Sequence, residues 1–129
     1  MYSRAAVIAE KLLASQRDLR VLHGDIHHEN IRHSTARGWL AIDPKGLYGD
    51  RVYDAANTLC NPDGMDDLVL NEQRLLRTAA ILSEGMGIDK SRLLSFTFVH
   101  AALSACWSLE DGQDPSRALR IAEIVEPHI

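Results

Sequence analysis

The feature that most constrains this chain is one hairpin signal held between two polar turn clusters. Asn30 to His33 and Trp39 to Ile42 read as short strands, joined by the loop Ser34-Thr35-Ala36-Arg37-Gly38 with its terminal glycine. Ahead of them stands His23-Gly24-Asp25-Ile26-His27-His28-Glu29, and behind them Asp43-Pro44-Lys45-Gly46. The second cluster breaks its strand, because a residue before proline is pushed towards extended geometry and Gly46 permits a turn. A hairpin returns its two ends to one place, so the clusters are expected to lie side by side.

The remainder reads as helix. Ser3 to Gln16 places Ala6, Ala9, Leu12 and Leu13 on one stripe, and Val21-Leu22 is a short apolar run ending at the His23-Gly24-Asp25 turn. Val52 to Leu59 form a short helix stopped by Asn61-Pro62-Asp63-Gly64. Asn71 caps a helix through Leu82, with Gly85 or Gly87 at its end. Asp89 caps another, roughly Lys90 to Leu109, and Asp114-Pro115 opens a last helix ending before Pro127. The expected class is α+β, mostly helical, with one β-hairpin.

Composition narrows the partners. A chain of 129 residues with 46% apolar side chains can bury one core without staples. Its 14 Lys and Arg against 18 Asp and Glu give a net charge of −4, which argues against nucleic acid and anionic membranes and suits a cationic small molecule. Cys60 and Cys106 lie in apolar stretches and read as buried thiols of a cytoplasmic protein. No run approaches the roughly 18 apolar residues of a membrane span, and no signal-peptide pattern opens the chain.

The chemistry concentrates at the clusters. Asn30 follows Asp25 by five residues, and Asp43 follows Asn30 by thirteen across the hairpin. Two carboxylates and an amide oxygen converging from loops are hard oxygen ligands of the kind Mg²⁺ takes, usually together with phosphate oxygens. Taken singly, these are ordinary turn residues.

The order and spacing resemble the catalytic loop and metal segment of protein-kinase-like enzymes. The string Leu22-His23-Gly24-Asp25-Ile26-His27-His28-Glu29-Asn30, then Gly38 to Gly46, then Gly49-Asp50 and Tyr53-Asp54, is similar to a narrower branch. That branch is the aminoglycoside/hydroxyurea resistance kinases, of the streptomycin 6-kinase type. The resemblance implies the C-terminal, catalytic lobe of a kinase-like fold over residues 1–129, and ATP-dependent phosphorylation of a small-molecule hydroxyl, most typically on a cationic aminoglycoside. It implies Asp25 as the catalytic aspartate that orients the acceptor hydroxyl, and Asn30 and Asp43 as Mg²⁺ ligands. His23 and Asp54 match positions that support the catalytic loop, and His27 belongs to the motif as a further supporting residue. Lys45 departs from the aromatic found there in protein kinases but fits this branch.

The family's nucleotide-binding lobe, a sheet with a phosphate-covering loop and a strand lysine, is expected to be absent. Residues 1–22 hold one helix and no glycine, and no nucleotide-binding residue is assigned. The alternative to an active kinase is therefore a truncated C-lobe that binds, or pairs with another chain, without turnover. Val21, Leu22, Leu40 and Ile42 are expected to expose an apolar face through which such a chain self-associates. A binuclear metallohydrolase, hinted at by His-x-Asp-x-His, lacks its later Asn-His pair. Trp107, Phe96 and Phe98 read as core, and His100 as a satisfied packing residue. The acids Asp63, Asp66, Asp67, Glu110, Asp111 and Asp114 read as solvated loop and cap residues, with a lining for a polycation as the alternative.

Overall fold

The structure is a computed structural model that describes residues 1–129. Its centre is one long helix. In chain order the elements are α1 (Tyr2–Ala14), β1 (Leu19–Leu22), a 3₁₀ turn (His28–Asn30), β2 (Ile31–Ser34), β3 (Gly38–Ala41) and β4 (Leu47–Asp50). Then follow α2 (Val52–Leu59), α3 (Asp66–Val69), α4 (Glu72–Met86), α5 (Lys90–Glu110), α6 (Ser116–Val125) and a closing 3₁₀ turn. The chain is mostly helical with two small antiparallel sheets, as the α+β expectation has it.

Helix α5 packs against α1, α2, α4 and α6, and its buried face carries Leu93, Leu94, Phe98, Ala101, Ala102 and Ala105. Leu59 of α2, Leu75 of α4, and Ile121 and Val125 of α6 close the core around Phe98. By length and composition α5 is apolar enough to cross a membrane, contrary to the sequence reading. It serves here as the helix against which four others bury their apolar stripes.

Capping sets the helix starts. Asn71 Oδ1 accepts from Arg74 N at 2.9 Å, and Asp89 Oδ1 accepts from Arg92 N at 2.7 Å. Helix α4 runs on past Leu82 to a left-handed Gly87. Asp114 accepts from Ser116 N one residue earlier than a cap would, since Pro115 occupies the cap position.

Four expectations are corrected. The buried stripe of α1 is Ala5 and Leu12, while Leu13 is exposed, because Ala5, Ile8 and Leu12 offer an equally regular helical spacing. Ser34 and Gly38 pair, so the hairpin loop is shorter than expected. Trp107 is exposed and Cys106 half-buried, although Phe98 is fully buried. Leu22 is buried and Leu40 half-buried, so only Val21 and Ile42 of the expected apolar face are exposed, joined by Trp39 and Tyr48.

The sheet arrangement positions the loops. Strand β1 pairs with β4 from Leu19↔Asp50 to Leu22↔Leu47, and the β2–β3 hairpin lies in sequence between them. The His23–Asn30 and Ile42–Gly46 segments are thereby delivered to the same end of the β1–β4 ladder.

Candidate active site

Asp25 sits in a turn that only glycine allows. Gly24 has φ +84°, and a β-carbon there would stand 3.0 Å from the Leu47 side chain and 3.2 Å from Lys45 Cβ. The turn hangs from Asp54 in the first turn of α2. One Asp54 carboxylate oxygen accepts from His23 N and the other from Gly24 N, both at 2.8 Å. Two adjacent backbone donors are thus satisfied by one charged acceptor.

His23 ties the two clusters together. Its Nε2 meets the Ile42 carbonyl at 2.6 Å and its Nδ1 accepts from Asp25 N at 3.2 Å. These partners fix the tautomer: the proton is on Nε2, donated to Ile42. Lys45 N donates to the His23 carbonyl at 2.7 Å, so the Lys45 backbone, not its side chain, completes the cross-link.

Helix α2 contributes more than Asp54. Asn57 Nδ2 donates to Asp25 Oδ1 at 3.3 Å, and Thr58 Oγ1 donates to the Ile26 carbonyl at 2.8 Å. Asn61 Nδ2 donates in turn to the Asn57 carbonyl and Oδ1. Asp54, Asn57 and Thr58 are three and four residues apart, hence on one helical face beneath the loop. Sequence reasoning missed Asn57 and Thr58, although their spacing from Asp54 on a foreseen helix was the available signal.

Asn30 is buried, and its amide nitrogen donates to the Asp25 carbonyl at 3.0 Å and to His27 Nε2 at 3.2 Å. Those bonds orient its carbonyl oxygen. The same Nε2 stands 3.7 Å from Asp25 Oδ2 but, accepting from Asn30, gives it no hydrogen bond, so His27 acts on the loop through Asn30. The Asn30 backbone carbonyl accepts from Ile42 N at 2.9 Å, which makes Asp43 the next residue along. Asp43 takes a left-handed φ of +58°, tolerated by Asp, and its exposed carboxylate is free of hydrogen bonds and ion pairs. The hairpin therefore brings Asp25, Asn30 and the Asp43 backbone together, while no three acidic, His or Cys side chains cluster as a closed metal cage.

A cleft of about 490 Å³ opens beside this loop, bordered by His27, Glu29, Asn57, Asp63, His100 and Asp114 among others. Of the acids considered, Asp63 and Asp114 border it. Asp66 and Asp63 both approach Arg117, itself on the cleft wall, at 2.8 and 3.9 Å, and Asp114 accepts from Ser116 N ahead of α6. Burial, then Arg74 and His27, lower the His28 pKa. Burial, with Asp54 and Asp25, raises that of Tyr53. The buried Cys60 thiol is pushed up to about 12, so it is no nucleophile.

Residues 1–112 match the family described as aminoglycoside/hydroxyurea antibiotic resistance kinase. The chain belongs to that family. Among curated relatives of this kinase family, a streptomycin 3''-kinase of Klebsiella pneumoniae is 43% identical over 111 residues, covering 84% of this chain and 42% of the relative. A streptomycin 6-kinase of Streptomyces glaucescens is 32% identical over 130 residues, covering 96% and 41%. A hydroxyurea phosphotransferase of Kitasatospora aureofaciens is 29% identical over 123 residues. The chain thus spans about two fifths of the length of the first two relatives. No solved structure matches it. The family match includes the whole loop, the hairpin, the β1–β4 ladder and the helices α1 to α5, and stops at Gly112 in the turn before α6.

Proposed function

We propose that this chain is the catalytic lobe of a kinase-like phosphotransferase that moves the γ-phosphoryl group of ATP to a hydroxyl of a small molecule, a cationic aminoglycoside such as streptomycin. The observation that carries this reading is the Asp25 turn, pinned from below by Asp54 and Asn57 and opening beside a cleft, in a chain matched by a family of such kinases. Asp25 Oδ2 has no hydrogen-bond donor from the protein, so it is available to accept the acceptor's hydroxyl hydrogen and aim the oxygen at phosphorus. Asn57 holds the other oxygen and so sets the plane of the carboxylate. Positioning of this kind supplies most of the rate in phosphoryl transfer.

The oriented Asn30 carbonyl and the unengaged Asp43 carboxylate fit Mg²⁺ by donor chemistry, being hard oxygen ligands that leave room for phosphate oxygens. Mg²⁺ held there would neutralise charge on the transferred phosphate. His23, His27 and Asp54 act as structural support for the loop. Glu29, Asp63 and Asp114 outnumber Arg117 on the cleft wall, which leaves it the sign a polycation needs. Such a reaction belongs in the cytoplasm, where ATP is supplied.

A second reading rests on the two-fifths span of the relatives: the 129 residues alone bind without turning over. With Val21, Trp39 and Tyr48 uncovered, that chain self-associates, which sedimentation at rising concentration reads; a monomer throughout would contradict it. The test of the main reading is phosphate transfer from MgATP to streptomycin, followed by mass spectrometry of the product. Product formation that disappears in Asp25→Asn supports it. Product formed equally by that variant removes Asp25 from the reaction.

A further inference from the structure

The cleft holds one side chain that support of the loop does not explain. His100 of α5 borders the cleft, yet only 9% of its surface is exposed, and its Nδ1 is buried with no hydrogen-bond partner. This overturns the expectation of a satisfied packing residue. Tyr53 stands edge-on to the ring with centroids 5.6 Å apart, and Trp107 does the same at 6.2 Å, so the ring plane is fixed. An apolar residue would fill this space without stranding a polar atom.

Burial holds the His100 pKa down to about 4, against the opposing charge of Asp25, so the ring is neutral at ordinary pH. A neutral imidazole carries one N–H and one bare nitrogen. A sealed N–H without an acceptor is the rarer orphan in folded proteins, which places the proton on Nε2 and leaves Nδ1 bare. Nε2 is not among the sealed atoms.

We propose that the Nε2–H of His100 is a specificity contact of the cleft, donating a hydrogen bond to a hydroxyl or ring oxygen of a polyhydroxylated, cationic acceptor held beside Asp25. This rests on the acceptor reading above. A neutral donor suits such a ligand: Glu29, Asp63 and Asp114 outnumber the one lining cation, Arg117, and an imidazolium at His100 would add a second positive charge against the ligand. Because the donor is fixed before binding, little ordering is needed when the ligand arrives.

The test uses the 129-residue chain carrying isotope-labelled histidine, with streptomycin as the probe. Nitrogen NMR of free His100 is expected to show the Nε2–H tautomer, and added streptomycin is expected to move Nε2 more than Nδ1. By calorimetry, His100→Leu is expected to bind streptomycin about tenfold more weakly, while His100→Gln, which keeps a neutral donor, retains most of the affinity. An Nδ1–H tautomer, or an Nε2 resonance unmoved in the streptomycin complex, overturns the proposal without need of any variant. Unchanged binding by a folded His100→Leu overturns it while leaving the acceptor reading intact. Absence of streptomycin binding by the unaltered chain overturns both.

Discussion

At the scale of single residues, the site depends on a few side chains that each satisfy more than one partner. Asp54 is the clearest case, since both of its oxygens are used by adjacent backbone donors of the Asp25 turn. Asp54→Ala strands both N–H groups, and each buried donor left unpaired costs about 1–3 kcal/mol. Both donors are only half-buried, so the expected loss in urea unfolding lies in the lower part of the summed range, about 2–4 kcal/mol, together with lost transfer. A variant of unchanged stability would show that the turn holds itself. The loop was legible from sequence as polar turn clusters returned to one place by a hairpin, and the structure gives His23 and Asp54 loop-fastening bonds while Asn30 donates to the Asp25 carbonyl. Asn57, Thr58 and the stranded Nδ1 of His100 were not legible in the same way. Their roles depend on which face of α2 and α5 turns to the loop, and composition alone leaves that open.

Between elements, Asp50 does the joining. Its carboxylate accepts from Arg92 Nη2 of α5 at 2.6 Å and Nε at 3.1 Å, from Val52 N at the start of α2, and from Arg17 N after α1. The side chain of Asp50 is 2% exposed and that of Arg92 10%, so this is a buried pair within a fully bonded cluster. Removing one partner of a buried pair leaves the other charge uncompensated, at about 3–5 kcal/mol. Asp50→Ala should therefore lose about that much in urea midpoint experiments, whereas the exposed Arg120–Glu123 pair should be dispensable. Equal losses in Asp50→Ala and Glu123→Ala would contradict this account. Strand β4 escaped the sequence reading for a related reason. Leu47-Tyr48-Gly49-Asp50 is flanked by breakers and shows no alternation, and it becomes a strand through its distant partner Leu19–Leu22. The helices, with Asn71 and Asp89 caps and regular apolar spacing, carried their own signals.

For the whole molecule, folding stability should fall as the solution is acidified. His100 has a folded-state pKa of about 4 against the usual 6.5, and burial lowers that of His28 in the same direction. Below about 6.5 the unfolded chain takes up protons that the folded one refuses, so stability is full above that value and drains as pH falls towards 4. From pH 7 to pH 5 the His100 share is on the order of 2 kcal/mol. Urea midpoints should decline over that range, and His100→Gln should flatten the decline; an unchanged slope in that variant would place the sensitivity elsewhere. The function proposed for this chain is phosphoryl transfer at its Asp25 turn. The direct measurement is a chimera in which these residues replace the matching segment of the Klebsiella streptomycin 3''-kinase, so that the relative supplies the length this chain does not span. The account predicts MgATP-dependent phosphorylation of streptomycin by the chimera, reduced about a thousandfold or more by Asp25→Asn with folding unchanged. A folded chimera whose transfer is untouched by Asp25→Asn would contradict it.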